Sequence, residues 1–169
     1  MIIKEKIQKD LTQATKKKEA LPTSVLRMLL AAILNKEKEK RYKFAKAEPE
    51  PIEKELIEKS QLTDEEVIEV ISSEVKKRKE SILEFEKGKR EDLVEKEKKE
   101  LDILQKYLPE QLSEEELQKL AKEAIDKTGA KEIKDMGKVM QEVMPKVKGK
   151  ADGTLVSKIV KELLIPKNE

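Results

Sequence analysis

Apolar side chains recur every three or four positions along nearly the whole chain, and lysine and glutamate fill most of the positions between them. Ile3, Ile7 and Leu11 are the first example of this spacing. It is the period of one face of an α-helix, whereas a half-buried strand would alternate at every second residue. Charged residues make up 44% of the chain, and such a content without apolar stripes would be typical of disorder. The stripes persist, so we predict an all-α protein.

The first two helices are predicted from their boundaries. An amphipathic helix begins near Ile3 and ends in the lysines 16–18, where cations suit a helix C-terminus. Pro22 opens a second helix, whose residues 25–34 are apolar nearly all round. We expect this second helix to be central and buried by its neighbours.

A polar stretch follows at about residues 36–60, with prolines at positions 49 and 51. Each proline disfavours helix in the residue before it. The stretch is therefore predicted to be an exposed, charged loop.

A helical hairpin is predicted over residues 63–108. Thr63 and Glu66 form the pattern of a capping box, in which each side chain accepts the other residue's backbone N–H. An apolar stripe then runs to Phe85, Gly88 interrupts it, and a second stripe continues to Leu108. We expect a long antiparallel pair of helices with one apolar seam.

Leu108 and Pro109 close the first part of the chain. Residues 1–109 are accordingly predicted to be an N-terminal helical domain, and residues 110–169 a C-terminal domain of three short helices. The first of these helices begins at a capping box at 113–116 and ends at Gly129. Asp135 begins the second, which Pro145 ends or distorts, and Asp152 caps the third.

Composition excludes most catalytic chemistry. There is no cysteine and no histidine, which removes disulfides, the usual zinc ligands and every Ser-His or Cys-His nucleophile pair. Glycine-rich nucleotide-binding loops are also missing. We predict no catalytic site, no cofactor and no metal. The absence of cysteine and of a long apolar run favours a cytoplasmic protein outside the membrane.

The feature most like a binding site is the segment 144–153, MPKVKGKADG. Its lysines alternate with small or apolar residues, its two glycines let a ligand approach the backbone, and the amide groups of a new helix begin there. Lysines outnumber acids over 131–167, whereas acids predominate over 110–130. This pattern suits phosphate, and the candidate nucleic-acid-binding residues are Lys138, Lys146, Lys148, Gly149, Lys150, Gly153 and Lys158. In the alternative interpretation the glycines serve only the turn, and the lysines are simply solvated.

The segment 144–153 contains no aromatic residue, and a stripe of methionines precedes and enters it. None of the four aromatic residues lies in the segment, so nucleic acid would be recognised through phosphate and shape instead of base stacking. Met136, Met140 and Met144 recur every four residues. Such a stripe is predicted to fill the core.

Two of these segments, KDMGKVM at 134–140 and MPKVKGKADG at 144–153, resemble the signature of the YqeY-like proteins of the GatB/YqeY family. Supporting segments are LRMLLAA at 26–32, GKREDL at 88–93 and YLPEQLS at 107–113. The resemblance covers nearly the whole chain and departs from the family at about 36–60, which is longer and more charged.

The resemblance implies that the C-terminal domain is similar to the tail of the B subunit of the tRNA-dependent amidotransferase. That enzyme converts Glu or Asp misacylated on tRNA to Gln or Asn, and its tail holds the tRNA body. The implied partners are tRNA and the amidotransferase or tRNA-synthetase machinery. Proteins of this type are often described, by inheritance, as carbon–nitrogen ligases that use glutamine as amido donor. We find no glutamine-hydrolysing nucleophile in this sequence to support that description.

A different class of function stays open. The net charge is only +2 and the isoelectric point about 8.5, which is less basic than is typical of nucleic-acid modules. The alternative is a helical interaction protein that docks a protein partner through the hairpin 63–108 and has no role with nucleic acid.

Overall fold

The computed structural model describes residues 2–47 and 52–165, and these residues form helices and turns without any strand. The prediction of an all-α fold is confirmed. The chain divides into two compact units, Met1–Tyr107 and Leu108–Glu169, which we call unit 1 and unit 2.

Unit 1 contains five helices among its described residues: α1 (Ile2–Lys16), α2 (Ala20–Ala47), α3 (Glu53–Ser60), α4 (Asp64–Lys87) and α5 (Glu91–Gln105). Helix α2 contacts each of the other four. Fully buried aliphatic side chains from four of these helices form the core, namely Ile7, Val25, Leu29, Ile33, Val67, Ile71 and Leu104.

The predicted exposed loop at 36–60 is wrong over the part that the structure describes. Helix α2 continues to Ala47, and Glu53–Ser60 forms α3. Lysine, glutamate and alanine are good helix formers, and tertiary contacts hold both segments. Glu37 is buried and paired with Lys4, and Leu56 anchors α3. The prolines at 49 and 51 lie outside the described residues.

Helix α2 is central, but it is not buried all round. Met28 is 53% exposed and Leu34 is 46% exposed. The surrounding helices leave part of the apolar surface of α2 uncovered, so this part of the prediction is wrong. Helix α2 therefore has exposed apolar positions on more than one side, as well as a buried face.

Helices α4 and α5 pack along each other in opposite directions. Lys98 pairs with Glu86 near the turn, and Arg78 pairs with Glu97 farther from it. The capping box at the start of α4 is present, since Glu66 N–H donates to Thr63 Oγ1 and Thr63 N–H donates to Glu66 Oε2. Gly88 ends α4 with an ordinary negative φ, whereas Lys89 takes the left-handed conformation.

Unit 2 is built from α6 (Glu114–Thr128), α7 (Met136–Val147) and α8 (Gly153–Leu164), with a 3₁₀ turn at Ile133–Asp135. The capping box of Ser113 is present, Gly129 takes φ +65°, and the Asp152 carboxylate caps α8. The three helices enclose a separate aliphatic core of Leu117, Ala121, Ala124, Val139, Val143, Val147, Val156, Ile159, Val160 and Leu164.

Helix α7 corrects two details of the prediction. Of the two outcomes predicted for Pro145, an end of the helix is wrong, because Pro145 lies inside α7, which continues to Val147. The central core stripe is formed by Val139, Val143 and Val147 and not by the methionines. Met136 and Met140 pack against the edge of that core, while Met144 is 37% exposed, so its predicted core position is wrong. Both stripes have the same period, and sequence alone did not choose between them.

Candidate nucleic-acid interface

The loop between α7 and α8 is a tight, internally bonded turn. The N–H groups of Lys150 and Ala151 both donate to the carbonyl oxygen of Val147, over 2.9 and 3.1 Å. Gly149 has φ +73°, a conformation that glycine adopts without strain. The turn therefore depends on glycine at position 149.

The same loop is fastened to the segment that precedes α6. Gln111 Nε2 donates to the carbonyl oxygen of Gly149 over 2.8 Å, and Leu112 N–H donates to that of Lys150 over 2.8 Å. These bonds fix the loop backbone, so the lysines on it project from a defined frame. Sequence reasoning missed the role of Gln111, whose only signal was its place in the YLPEQLS segment.

Lys146, Lys148 and Lys150 are all exposed around this turn. Lys146 Nζ lies 3.4 Å from Glu142 Oε1, which lies 2.7 Å from Lys127 Nζ. The hydrogen bond from Lys127, reinforced by Lys146, holds the pKa of Glu142 below its ordinary value of 4.5. Lys127 thus joins the basic cluster from α6, and no sequence pattern pointed to it.

The N-terminus of α8 is already occupied by an internal anion. Asp152 Oδ1 accepts hydrogen bonds from the Thr154 N–H over 2.8 Å and from Thr154 Oγ1. The Asp152 carboxylate therefore occupies the position at the start of α8 where the sequence predicts that phosphate would bind. A Cβ on Gly153 would lie 3.6 Å from Met144 Cε, an ordinary contact, so crowding does not require glycine there.

Lys138 and Lys158 stand apart from the turn along their own helices. Lys138 lies in the first turn of α7, about 12 Å along the helix axis from Lys146, with its Nζ 3.2 Å from Asp135 Oδ1. Hydrogen bonds from Lys131 N–H and Lys138 lower the pKa of Asp135. Lys158 is on α8 with Glu162 at 3.9 Å. The structure therefore brings together the lysines at 146, 148 and 150 with Gly149.

Acidic side chains in the described part of the chain form no group of three or more that could hold a metal ion. Over residues 2–47 and 52–165, no helix has both the length and the apolar character needed to cross a membrane. The chemistry of the exposed lysines at 146, 148 and 150, with Lys127 beside Glu142, suits an anion.

Comparison with known proteins gives a family match over residues 4–164, and that family is described as "Yqey-like protein". A relative from Pyrenophora tritici-repentis, named "Altered inheritance of mitochondria protein 41, mitochondrial", is 34% identical over 96% of this chain and 81% of its own length. A protein of the same name from Candida glabrata is 31% identical over 62% of this chain and 48% of its own length. "Uncharacterized protein C22F3.15" of Schizosaccharomyces pombe is 43% identical over 30% of this chain and 42% of its own length.

Proposed function

The chain belongs to the YqeY-like family, and from that membership we propose that it binds the body of tRNA through unit 2 without catalysing a reaction itself. The family's similarity to the amidotransferase tail supports this role. The observation that carries it is the turn at 148–152, where exposed lysines surround a backbone fixed by Gln111. An association with an amidotransferase or tRNA synthetase would place the bound tRNA beside an enzyme.

Phosphate is the part of tRNA that this surface suits. Lysines at 146, 148 and 150 present point charges, and the described loop carries no aromatic side chain for base stacking. Binding of this type is read through shape and backbone charge. Glu142 pairs with Lys146 and with the neighbouring Lys127 and lowers the local charge, so we expect a dissociation constant of about 10⁻⁴ to 10⁻⁶ M.

The test is binding of purified protein to total tRNA across a salt series. The variant Lys146→Ala/Lys148→Ala/Lys150→Ala is compared with Lys76→Ala/Lys87→Ala/Lys99→Ala, which removes the same charge from exposed positions of unit 1. Three lost phosphate contacts should lower the slope of log K against log salt by about 2 to 3. Equal loss in both variants, or binding indifferent to salt, would show that the assigned surface is wrong.

The absence of catalysis has its own test. An amide transferase needs a nucleophile that hydrolyses glutamine. The chain has no cysteine to serve as that nucleophile and no histidine to activate another one. We expect no ammonia release from glutamine by the pure protein. Release that survives further purification would contradict this part of the proposal.

The proposed compartment is the cytoplasm, on the strength of the cysteine-free composition. Two of the relatives are named as mitochondrial. Cell fractionation of the tagged protein decides between these compartments, and recovery in mitochondria would contradict a cytoplasmic location.

A second candidate function is docking of a protein partner through the hairpin 63–108, and we extend the docking surface to the neighbouring α2 of unit 1. The specific observation in its favour is the uncovered face of α2, where Met28 is 53% exposed. The low net charge of +2 is also consistent with it. Failure of the wild-type protein to bind tRNA at low salt would favour this function over the first.

A further inference from the structure

A groove of about 760 Å³ runs along unit 1 between α2 and α4. Its floor combines the exposed Met28 and Ala31 and the half-buried Ala32 and Val70 with the buried Leu62. It lies along the side of α2 that exposes Met28, and all of its lining residues belong to unit 1. Nothing in the proposed tRNA contact uses it.

The two walls of the groove carry opposite charge. The α2 wall has Lys36, Lys40 and Lys43 against the single acid Glu39. The α4 wall has Glu66, Glu69 and Glu74 against the single cation Lys77. Within this lining Lys36 pairs with Glu39, Lys40 with Glu66 across the groove, and Glu74 with Lys77. The pairs leave a net positive charge on the α2 wall and a net negative charge on the α4 wall, so an occupant with charge on both edges would meet the opposite sign on each side.

The groove is bridged near one end. Lys40 Nζ donates to both carboxylate oxygens of Glu66 at 2.8 Å, and Lys43 lines the groove about one turn farther along α2. From Lys40 back to Met28 is about 18 Å along α2, and from Glu66 forward to Lys77 is about 16 Å along α4. The two walls are nearly equal in length, and each spans about three helical turns.

A helix fits this shape better than an extended peptide. Both walls are α-helices whose backbone groups are bonded internally, so the groove offers no row of free amide groups for strand addition. Alanines at 31 and 32 leave room for large side chains to enter between the walls. A helix bound in a groove is held by apolar side chains spaced three and four residues apart. The apolar floor of this groove, which includes Met28 and Val70, would contact such a stripe on the bound helix.

We propose that this groove docks an amphipathic helix of a partner protein, about three turns long, with acidic residues along one edge and basic residues along the other. The acidic edge lies against the lysines of α2, and the basic edge lies against the glutamates of α4. This assignment rests on the second candidate function, the docking of a protein partner by unit 1, and does not depend on tRNA binding by unit 2.

The probes are three synthetic helical peptides that share one leucine stripe. One has glutamates on one edge and lysines on the other, one has glutamates on both edges, and one has lysines on both. Binding is measured by fluorescence anisotropy. Because one wall is basic and the other acidic, the peptide with both signs of charge should bind with about tenfold or more higher affinity than either peptide with one sign. Equal affinities, or no binding by the mixed peptide at millimolar concentration, would overturn the proposal.

Two substitutions on α2 test the location. Ala31→Trp places a large side chain on the groove floor and should weaken the mixed peptide by about tenfold or more. Leu34→Trp adds the same side chain at an exposed position of α2 that does not line the groove, and should change little. Both positions are exposed, so circular dichroism should show folded protein in each case.

A charge reversal gives the sharpest result. Lys36→Glu/Lys43→Glu makes both walls acidic, and preference should move to the peptide with lysines on both edges. Unchanged preference would show that the walls do not contact the peptide. If light scattering shows a dimer of the chain that Ala31→Trp converts to a monomer, the occupant is a second copy and the partner-protein assignment is overturned.

Discussion

Tyr107 closes unit 1 by donating its Oη hydrogen bond to Asp10 Oδ2 over 2.8 Å. The two residues lie 97 positions apart in sequence, and the bond joins the end of the unit to α1. The ring is 8% exposed, and Lys6 Nζ lies 5.7 Å from its centroid. Burial, and secondly the hydrogen bond to Asp10, raises the pKa of Tyr107 well above its ordinary value of 10.0.

Tyr107→Phe should destabilise unit 1 by about 1 to 2 kcal/mol, because Asp10 loses its donor while the ring remains packed. Urea denaturation measures the loss, with Tyr42→Phe as the control at a 69% exposed position. Because the folded-state pKa is raised, this stability is complete below pH 10 and declines as pH rises above it. In the Tyr42→Phe protein, absorbance titration should show Tyr107 ionising well above pH 10; ionisation near 10 would contradict its burial.

Arg78 joins α4 to two carboxylates of α5, one buried and one half-buried. Its guanidinium lies 2.9 Å from Glu100 and 3.2 Å from Glu97, and the Arg78 side chain is 10% exposed. Arg78→Met should cost about 3 to 5 kcal/mol, because two acids are left without their cation in the seam of the hairpin. Adding Glu97→Gln and Glu100→Gln should recover much of that free energy of unfolding. Arg90→Met, at a 58% exposed side chain, is the control and should leave stability nearly unchanged.

Two glycines of unit 2 should respond oppositely to alanine. Gly129 has φ +65°, so Gly129→Ala should cost about 1 to 2 kcal/mol. Gly137 lies in the first turn of α7 with open space where an alanine Cβ would lie, so Gly137→Ala should stabilise by about 0.5 to 1 kcal/mol. Thermal unfolding of both variants measures the difference. A loss at Gly137 would reveal a requirement for glycine that the folded chain does not explain.

Glu142 competes for two lysines of the proposed tRNA surface. Glu142→Gln removes the carboxylate that pairs with Lys127 and Lys146, and should tighten tRNA binding about two- to fivefold at low salt. Glu80→Gln makes the same charge change on an exposed part of α4 and should leave affinity nearly unchanged. An equal gain in both variants would mean that only net charge matters.

Acid should weaken both capping boxes. The Lys40 hydrogen bond, followed by the Thr63 N–H, lowers the pKa of Glu66, and the Ser113 N–H lowers that of Glu116, each below 4.5. A carboxyl group whose pKa is lower in the folded state than in the unfolded state stabilises the fold at pH values above its unfolded-state pKa. That stability is lost as the pH falls through its folded-state pKa. The temperature of the unfolding midpoint should therefore decrease when the pH is lowered below about 4.5. Glu66→Gln/Glu116→Gln should flatten this decline, whereas Glu123→Gln, which leaves both boxes intact, should not.

The sequence by itself determined the helical fold and most helix ends. Periodic apolar residues predicted the helices, and the pairs Thr63–Glu66 and Ser113–Glu116 marked two starts because capping is a local interaction of residues three apart. Gly129 marked an end for the equally local reason that its backbone φ is positive. The lysines at 146, 148 and 150 were identified as candidates because they are adjacent in sequence.

Only the tertiary structure decided which apolar stripe is buried and which distant groups meet. The helix over 36–47 is held by contacts such as Glu37 with Lys4, which local propensity does not reveal. Val143 and not Met144 faces the core of unit 2, because the position of α7 between α6 and α8 selects one of two equivalent stripes. The bond from Gln111 to Gly149 and the opposite walls of the α2–α4 groove likewise join residues far apart in the chain. Their partners are chosen by packing, and sequence spacing carries no record of that choice.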